Sequence, residues 1–220
     1  MLSRMRYLPA LATALVVCAA DRAAYAQDPP PRLPLVVVDL HGTFTRLPNG
    51  DVELADSRGL SVNELPGHAF GADLGFHIYP LSYRGITFGI GGQVTYTRGR
   101  LTPPETPAGA FLRPVTERFV SAAPQLSFNF GSGNGWSYLS GGLGRSVWQI
   151  IPDDGEPLPG DEEQLKTINY GGGARWFIKK HLAFSFDVRF YALNPGTGAF
   201  GFPGSPRTTL MVIGAGASLK

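Results

Sequence analysis

Leu182-Ala183-Phe184-Ser185-Phe186-Asp187-Val188-Arg189-Phe190-Tyr191 decides how the rest of the chain is read. Leu182, Phe184, Phe186, Val188 and Phe190 point one way and Ser185, Asp187 and Arg189 the other, a separation that the period of two in a strand produces. Outward from there, the same alternation predicts strands over residues 35–46, 68–79, 86–97, 118–130, 136–150, 166–178 and 207–219, each ending in a stretch rich in Gly, Pro, Asn or Asp. Eight long strands result. They exceed the roughly 5–6 residues usual in soluble sheets and suffice for the about 9–11 needed to cross a bilayer at a tilt.

The connections alternate in size. Residues 47–67, 98–117, 151–165 and 193–206 are long, and 80–85, 131–135 and 179–181 are short, the pattern of an up-and-down membrane barrel with its termini on the short-turn side. The composition agrees: 220 residues carry 29 Gly, 19 Pro and 22 Phe or Tyr, with only 16% charged, which is poor material for a helical bundle and too apolar for a disordered chain.

Residues 1–26 read as a secretory signal. Arg4 and Arg6 precede the apolar run from Tyr7 to Ala20, and Ala24-Tyr25-Ala26 is a small-x-small cleavage site before Gln27, leaving 27–220 as one domain. Without that segment 16 basic and 16 acidic residues remain, so the net charge is near zero and no basic cluster beyond Lys179-Lys180 speaks for nucleic acid. The one cysteine, Cys18, lies within the signal, so disulfides and thiol chemistry are excluded from the remainder; bulky Val17 before it argues against a lipoprotein site.

Once the strands are phased by their apolar residues, the mid-strand charges Asp39, Asp73, Arg175, Asp187 and Arg189 all fall on the opposite face. Contact with lipid costs an ion roughly 2–4 kcal/mol near the midplane, whereas inside a small barrel it meets a partner. The apolar face is therefore read as lipid-facing: Val36, Val38, Leu40 and Phe44; Phe70, Leu74, Phe76 and Ile78; Ile86, Phe88, Ile90, Val94 and Tyr96; Leu126, Phe128, Ile168, Tyr170 and Trp176. The five charges form an expected luminal polar network, in which Arg175 comes within reach of Asp187 on the adjacent strand. A soluble barrel with its apolar face inward shows the same alternation, but its core would have to absorb all these aromatics. Strand 136–150 is undecided, because Leu139, Leu143 and Val147 compete with Tyr138, Trp148 and Ile150, and Gly141-Gly142 and Gly144 would permit a bulge that switches phase.

Taken together, these features resemble the small OmpA/OmpX-type outer-membrane β-barrels. The most family-like stretch is Tyr170-Gly171-Gly172-Gly173-Ala174-Arg175-Trp176-Phe177-Ile178 with Phe186-Asp187-Val188-Arg189-Phe190-Tyr191. The resemblance implies residence in the outer membrane of a Gram-negative-type cell, with outer-membrane lipid or lipopolysaccharide and the barrel-insertion machinery as partners. Members usually end on an aromatic residue, whereas this chain ends Ala217-Ser218-Leu219-Lys220.

Catalytic chemistry is not evident. Of the histidines His41, His68, His77 and His181, the phase puts His41 and His77 in the lumen without metal-ligand spacing; neither His-x-Ser nor a Gly-x-Ser-x-Gly elbow occurs. Asp153-Asp154-Gly155-Glu156 and Asp161-Glu162-Glu163 read as solvated loop charge without the spacing of a calcium loop. The expectation is a structural or surface-recognition barrel with no cofactor, metal or catalytic residue and a lumen filled by side chains. The alternatives are a transport barrel, with Gly71, Gly75, Gly89, Gly91, Gly171 and Gly173 leaving room for a narrow channel or an apolar ligand, and, more remotely, a lipid-A-modifying enzyme.

Overall fold

A computed structural model describes residues 35–83, 85–102 and 113–220. The expected signal at 1–26 lies outside them. Eight antiparallel strands close into a barrel in sequence order: β1 (Val36–Arg46), β2 (His68–Tyr83), β3 (Ile86–Leu101), β4 (Val115–Ser132), β5 (Gly135–Pro152), β6 (Gln164–Lys179), β7 (Leu182–Leu193) and β8 (Thr208–Leu219). Closure pairs β1 with β8, which leaves no strand edge unpaired. Stepping across the hydrogen-bonded partners from Val36 through Ile78, Ile90, Leu126, Gly141, Tyr170, Phe190 and Met211 returns to β1 at Arg46, a shear of ten residues. Strand number and shear together fix the tilt, which for such barrels is about 35–45°.

The strands outrun the sequence reading, chiefly toward the long loops. β3 continues to Leu101 and β4 begins at Val115, because inward-facing Thr97, Val115 and Glu117 still have a covered interior to face. At the other end β2 runs through Pro80, where the register with β3 shifts between Ile78 and Leu81; a bulge is where a residue without an N–H fits. Pro124 lies within β4 as expected, facing outward, and the β4–β5 ladder keeps one register on either side of it.

β5 needs no phase switch. Trp136, Tyr138, Ser140, Ser146, Trp148 and Ile150 are all buried, while Leu139 and Leu143 are exposed at 59% and 71%. The glycines between them take up close packing rather than a bulge. In the first long loop, residues 47–67, helix α1 (Val52–Asp56), capped by the Asp51 carboxylate on the Leu54 amide, and a short 3-10 turn (Val62–Glu64) fold over the barrel mouth. Helix α2 (Pro159–Glu162) sits in the third.

The interior is layered. At the long-loop end Leu54, Leu60 and Leu65 pack on Phe119, Trp148, Ile150, Tyr191, Leu193 and Leu210 in one apolar cluster. A smaller cluster of Val37, Tyr79, Trp136, Phe177 and Ala183 closes the short-turn end. The charged residues lie between these two seals.

Candidate functional site: the sealed lumen, the loop clamp and the outer surface

All five charges expected in the lumen are there, each no more than 4% exposed. Arg175 binds Asp39 in a fork, Nε to Oδ1 at 2.8 Å and Nη2 to Oδ2 at 2.6 Å, and gives its remaining Nη1 to Asn129 at 2.9 Å. Bidentate geometry is the strong form of such a pair. Asp39 also accepts from the Ser218 hydroxyl on β8. Arg189 forks onto Asp187 of its own strand at 3.1 and 3.0 Å and reaches Ser140 at 2.8 Å.

The expected Arg175–Asp187 pair does not form. Across the β6–β7 ladder Asp187 faces Gly173 and Arg175 faces Ser185, so the nearer partners are Asp39 for one and Arg189 for the other. Tyr138 stands between the two pairs, its hydroxyl donated to Asp187 at 2.8 Å and its ring 4.0 Å beneath the Arg175 guanidinium. His41 is 3.2 Å from Asp73 and 2.7 Å from the Ser185 hydroxyl. His77 meets Gln125, which bridges to Gln93 and Asn169. The two histidines thus belong to the polar network, where the sequence put them.

Neighbouring groups occupy the space beside luminal Gly89 and Gly173. A Cβ on Gly89 would lie 2.3 Å from the Tyr79 ring, and one on Gly173 would lie 2.0 Å from the Phe186 carbonyl and 2.8 Å from the Tyr138 hydroxyl. Their missing side chains admit neighbouring strands and rings into the space.

Above the upper apolar cluster, Arg58 is 3% exposed and ties three loops together. It donates to Asp161 at 2.7 Å, to the carbonyls of Trp148 and Gly160, and to the Ser205 hydroxyl. Asp161 in turn accepts from the Ile150 and Leu158 amides. That corrects the reading of the third-loop acids as wholly solvated: Asp161 is 1% exposed because the guanidinium draws it inward. Glu163 caps the Thr197 amide and Asp153 pairs with Arg100 at 2.5 Å, so these acids are spread over separate tasks. Burial alone would raise the Glu64 carboxyl, but hydrogen bonds from the Ser61 and Arg113 amides and the nearby Arg113 guanidinium hold it below its ordinary range. No sequence signal marked Arg58, since an isolated loop arginine carries no pattern.

The outside is apolar over the strand centres. Leu40, Phe70, Leu74, Ile90, Val94, Leu126, Ile168, Tyr170 and Trp176 are each about half exposed or more, all from the set expected to face lipid. Soluble monomers rarely expose so many large apolar side chains side by side, and such a surface marks a site of membrane or protein contact. It is a membrane-spanning surface, and the soluble alternative with this face inward is excluded. Toward the long loops it ends in exposed Arg98, Arg118, Arg145 and Lys166. The fold is that of the small outer-membrane β-barrels.

Among solved structures, this barrel is similar to Neisserial surface protein A, with a TM-score of 0.50 at 12% identity over 85% of this chain and 97% of that one. It is also similar to Ail, the attachment invasion locus protein of Yersinia pestis, solved with the heparin analogue sucrose octasulfate, at 0.49 and 12% over 84% and 96%. OprG from Pseudomonas aeruginosa follows at 0.45 and 12% over 84% and 94%. No family model matches the barrel's sequence, and no curated protein does.

Proposed function

We propose that the barrel spans the outer membrane with both termini in the periplasm and works through its outer surface and extracellular loops, not as a channel or an enzyme. The carrying observation is the double seal of the lumen: apolar clusters at both ends enclose a charged layer of fork-bonded pairs. An ion moving through would have to displace Arg175 and Arg189 from their carboxylates and pass Trp148 and Leu54 in an apolar plug, at a cost far above that of a hydrated path. The outward histidine, His68, gives no support to the enzyme reading. It stacks on Phe44, meets Phe70 edge-on and is paired in register with Arg46, none of which offers a nucleophile.

Planar-bilayer recording of the purified protein tests this. The expected outcome is silence at both polarities. Steady single-channel steps from the wild type would overturn it and restore the transport reading.

A further inference from the structure

The luminal face carries one arrangement that the arginine pairs do not account for. Across the ladders of β2, β1, β8 and β7, Asp73, His41, Gly216 and Ser185 stand in one row, His41 opposite Asp73 on one side and Gly216 on the other, and Gly216 opposite Ser185. A Cβ on Gly216 would lie 2.1 Å from the Leu40 carbonyl, so glycine lets β8 approach β1 this closely and puts no side chain between His41 and Ser185. The imidazole therefore reaches over β8, with Nε2 2.7 Å from Ser185 Oγ and Nδ1 3.2 Å from the Asp73 carboxylate. None of the three is more than 3% exposed. His41 and Ser185 lie 144 residues apart, so no local motif announces them.

A carboxylate on one ring nitrogen and a hydroxyl on the other is the arrangement that turns a serine into a nucleophile. Asp73 favours the tautomer with its proton on Nδ1, which leaves Nε2 to accept from the hydroxyl. Ser140, Ser146 and Ser218 are buried too, but their hydroxyls meet Arg189, Thr167 and Asp39 in place of an imidazole.

We propose that Ser185 is an activated nucleophile that accepts the acyl group of a small activated ester, with His41 as its base and Asp73 positioning the ring. Ser185 Oγ bonds to the ester carbonyl carbon as its proton passes to His41 Nε2; the bond from that carbon to the leaving alcohol oxygen then breaks, and the alcohol carries the proton away. The product is one acyl-serine per barrel, a modification without turnover, so the reading of the barrel as a non-enzyme stands. Entry is from the short-turn end. Ser185 is the next inward residue on β7 after Ala183 of the lower plug, whose Phe177 ring lies 4.0 Å beneath the Lys220 ammonium.

The probe for the test is methanesulfonyl fluoride, which loses fluoride where the ester loses its alcohol, applied to the folded full-length barrel in detergent at mildly alkaline pH, where the imidazole is neutral. Peptide mass spectrometry should place one methylsulfonyl group on Ser185 of the wild type, and Ser185→Ala should take up none. His41→Gln keeps a hydrogen-bonding partner for the hydroxyl but no base; it should slow labelling about 100-fold or more while heat-modifiable gel mobility stays that of the folded barrel. Asp73→Asn should lower the maximal labelling rate and leave the half-saturating probe concentration as it was, the split expected of a positioning residue. Phe177→Ala, which thins the lower plug, should speed labelling, and Leu54→Ala at the other end should not; the reverse would overturn the entry route. The nucleophile itself is overturned if neither wild type nor Phe177→Ala is labelled at Ser185, if Ser140, Ser146 or Ser218 is labelled as fast, or if folded His41→Gln reacts like the wild type. Should His41→Gln fail to fold, an unchanged maximal rate in folded Asp73→Asn overturns the proposal in its place.

Discussion

Tyr138 lies against both ion pairs of the lumen, and its position defines how the charges should respond to substitution. Removing one member of a buried pair strands the other at about 3–5 kcal/mol, while removing both costs much less. Arg175→Met and Asp39→Leu should each lower the urea midpoint in detergent micelles by amounts in that range, and the double variant should recover most of the loss. Arg175→Met combined with Asp187→Leu should show no such recovery, since those residues share only Tyr138. A recovery there, and not with Asp39, would mean that the cross-lumen contact is misplaced. On the outer side of the same strand, Phe186 is 39% exposed beside buried Asp187. Phe186→Arg places a cation in lipid at roughly 2–4 kcal/mol and should abolish spontaneous insertion into phosphatidylcholine vesicles. Asp187→Asn, which still accepts from Tyr138, should insert and unfold at lower urea; equal tolerance of the two would reverse the assignment of the faces.

At the scale of elements, the first long loop owes its place to one guanidinium more than to its own helices. α1 has only five residues and so little stability of its own. Its apolar side chains are held down where Arg58 binds Asp161 and the Trp148 and Gly160 carbonyls. Arg58→Ala leaves Asp161 buried without its cation, a loss on the order of 3–5 kcal/mol borne by the loop and not by the strands. Thermolysin should then cut between residues 48 and 67 in the variant while the barrel keeps its heat-modifiable mobility, and wild type should resist. If both resist alike, the loop is held by its leucines and the clamp is secondary. The strands were legible from alternation because lipid selects one face along their whole length. β5 was not, since Trp136, Tyr138, Trp148 and Ile150 are large and apolar yet face inward, competing in the sequence with Leu139 and Leu143, which face out.

For the whole molecule, an even number of strands puts the start of β1 and the end of β8 at the end with the short turns. With the short turns in the periplasm, as proposed, proteinase K added to intact cells should cut the third loop near Asp153-Asp154-Gly155 and spare Lys179-Lys180; cleavage at the lysine pair from outside would invert the topology. The sequence by itself determined the strand count, the order of long and short connections, the lipid-facing residues and the inward placement of Asp39, Asp73, Arg175, Asp187 and Arg189. Those are local consequences of a period of two against a solvent that excludes charge, so each strand carries its own record of them. Only the tertiary structure decided which charges meet. Asp39 and Arg175 lie 136 residues apart and come together because closure with a shear of ten carries β1 past β6 across the lumen. It alone also revealed the apolar plugs and the Arg58 clamp, because inside a closed barrel polar and apolar side chains share one phase, and their sorting into layers depends on height along the axis, which no single strand encodes.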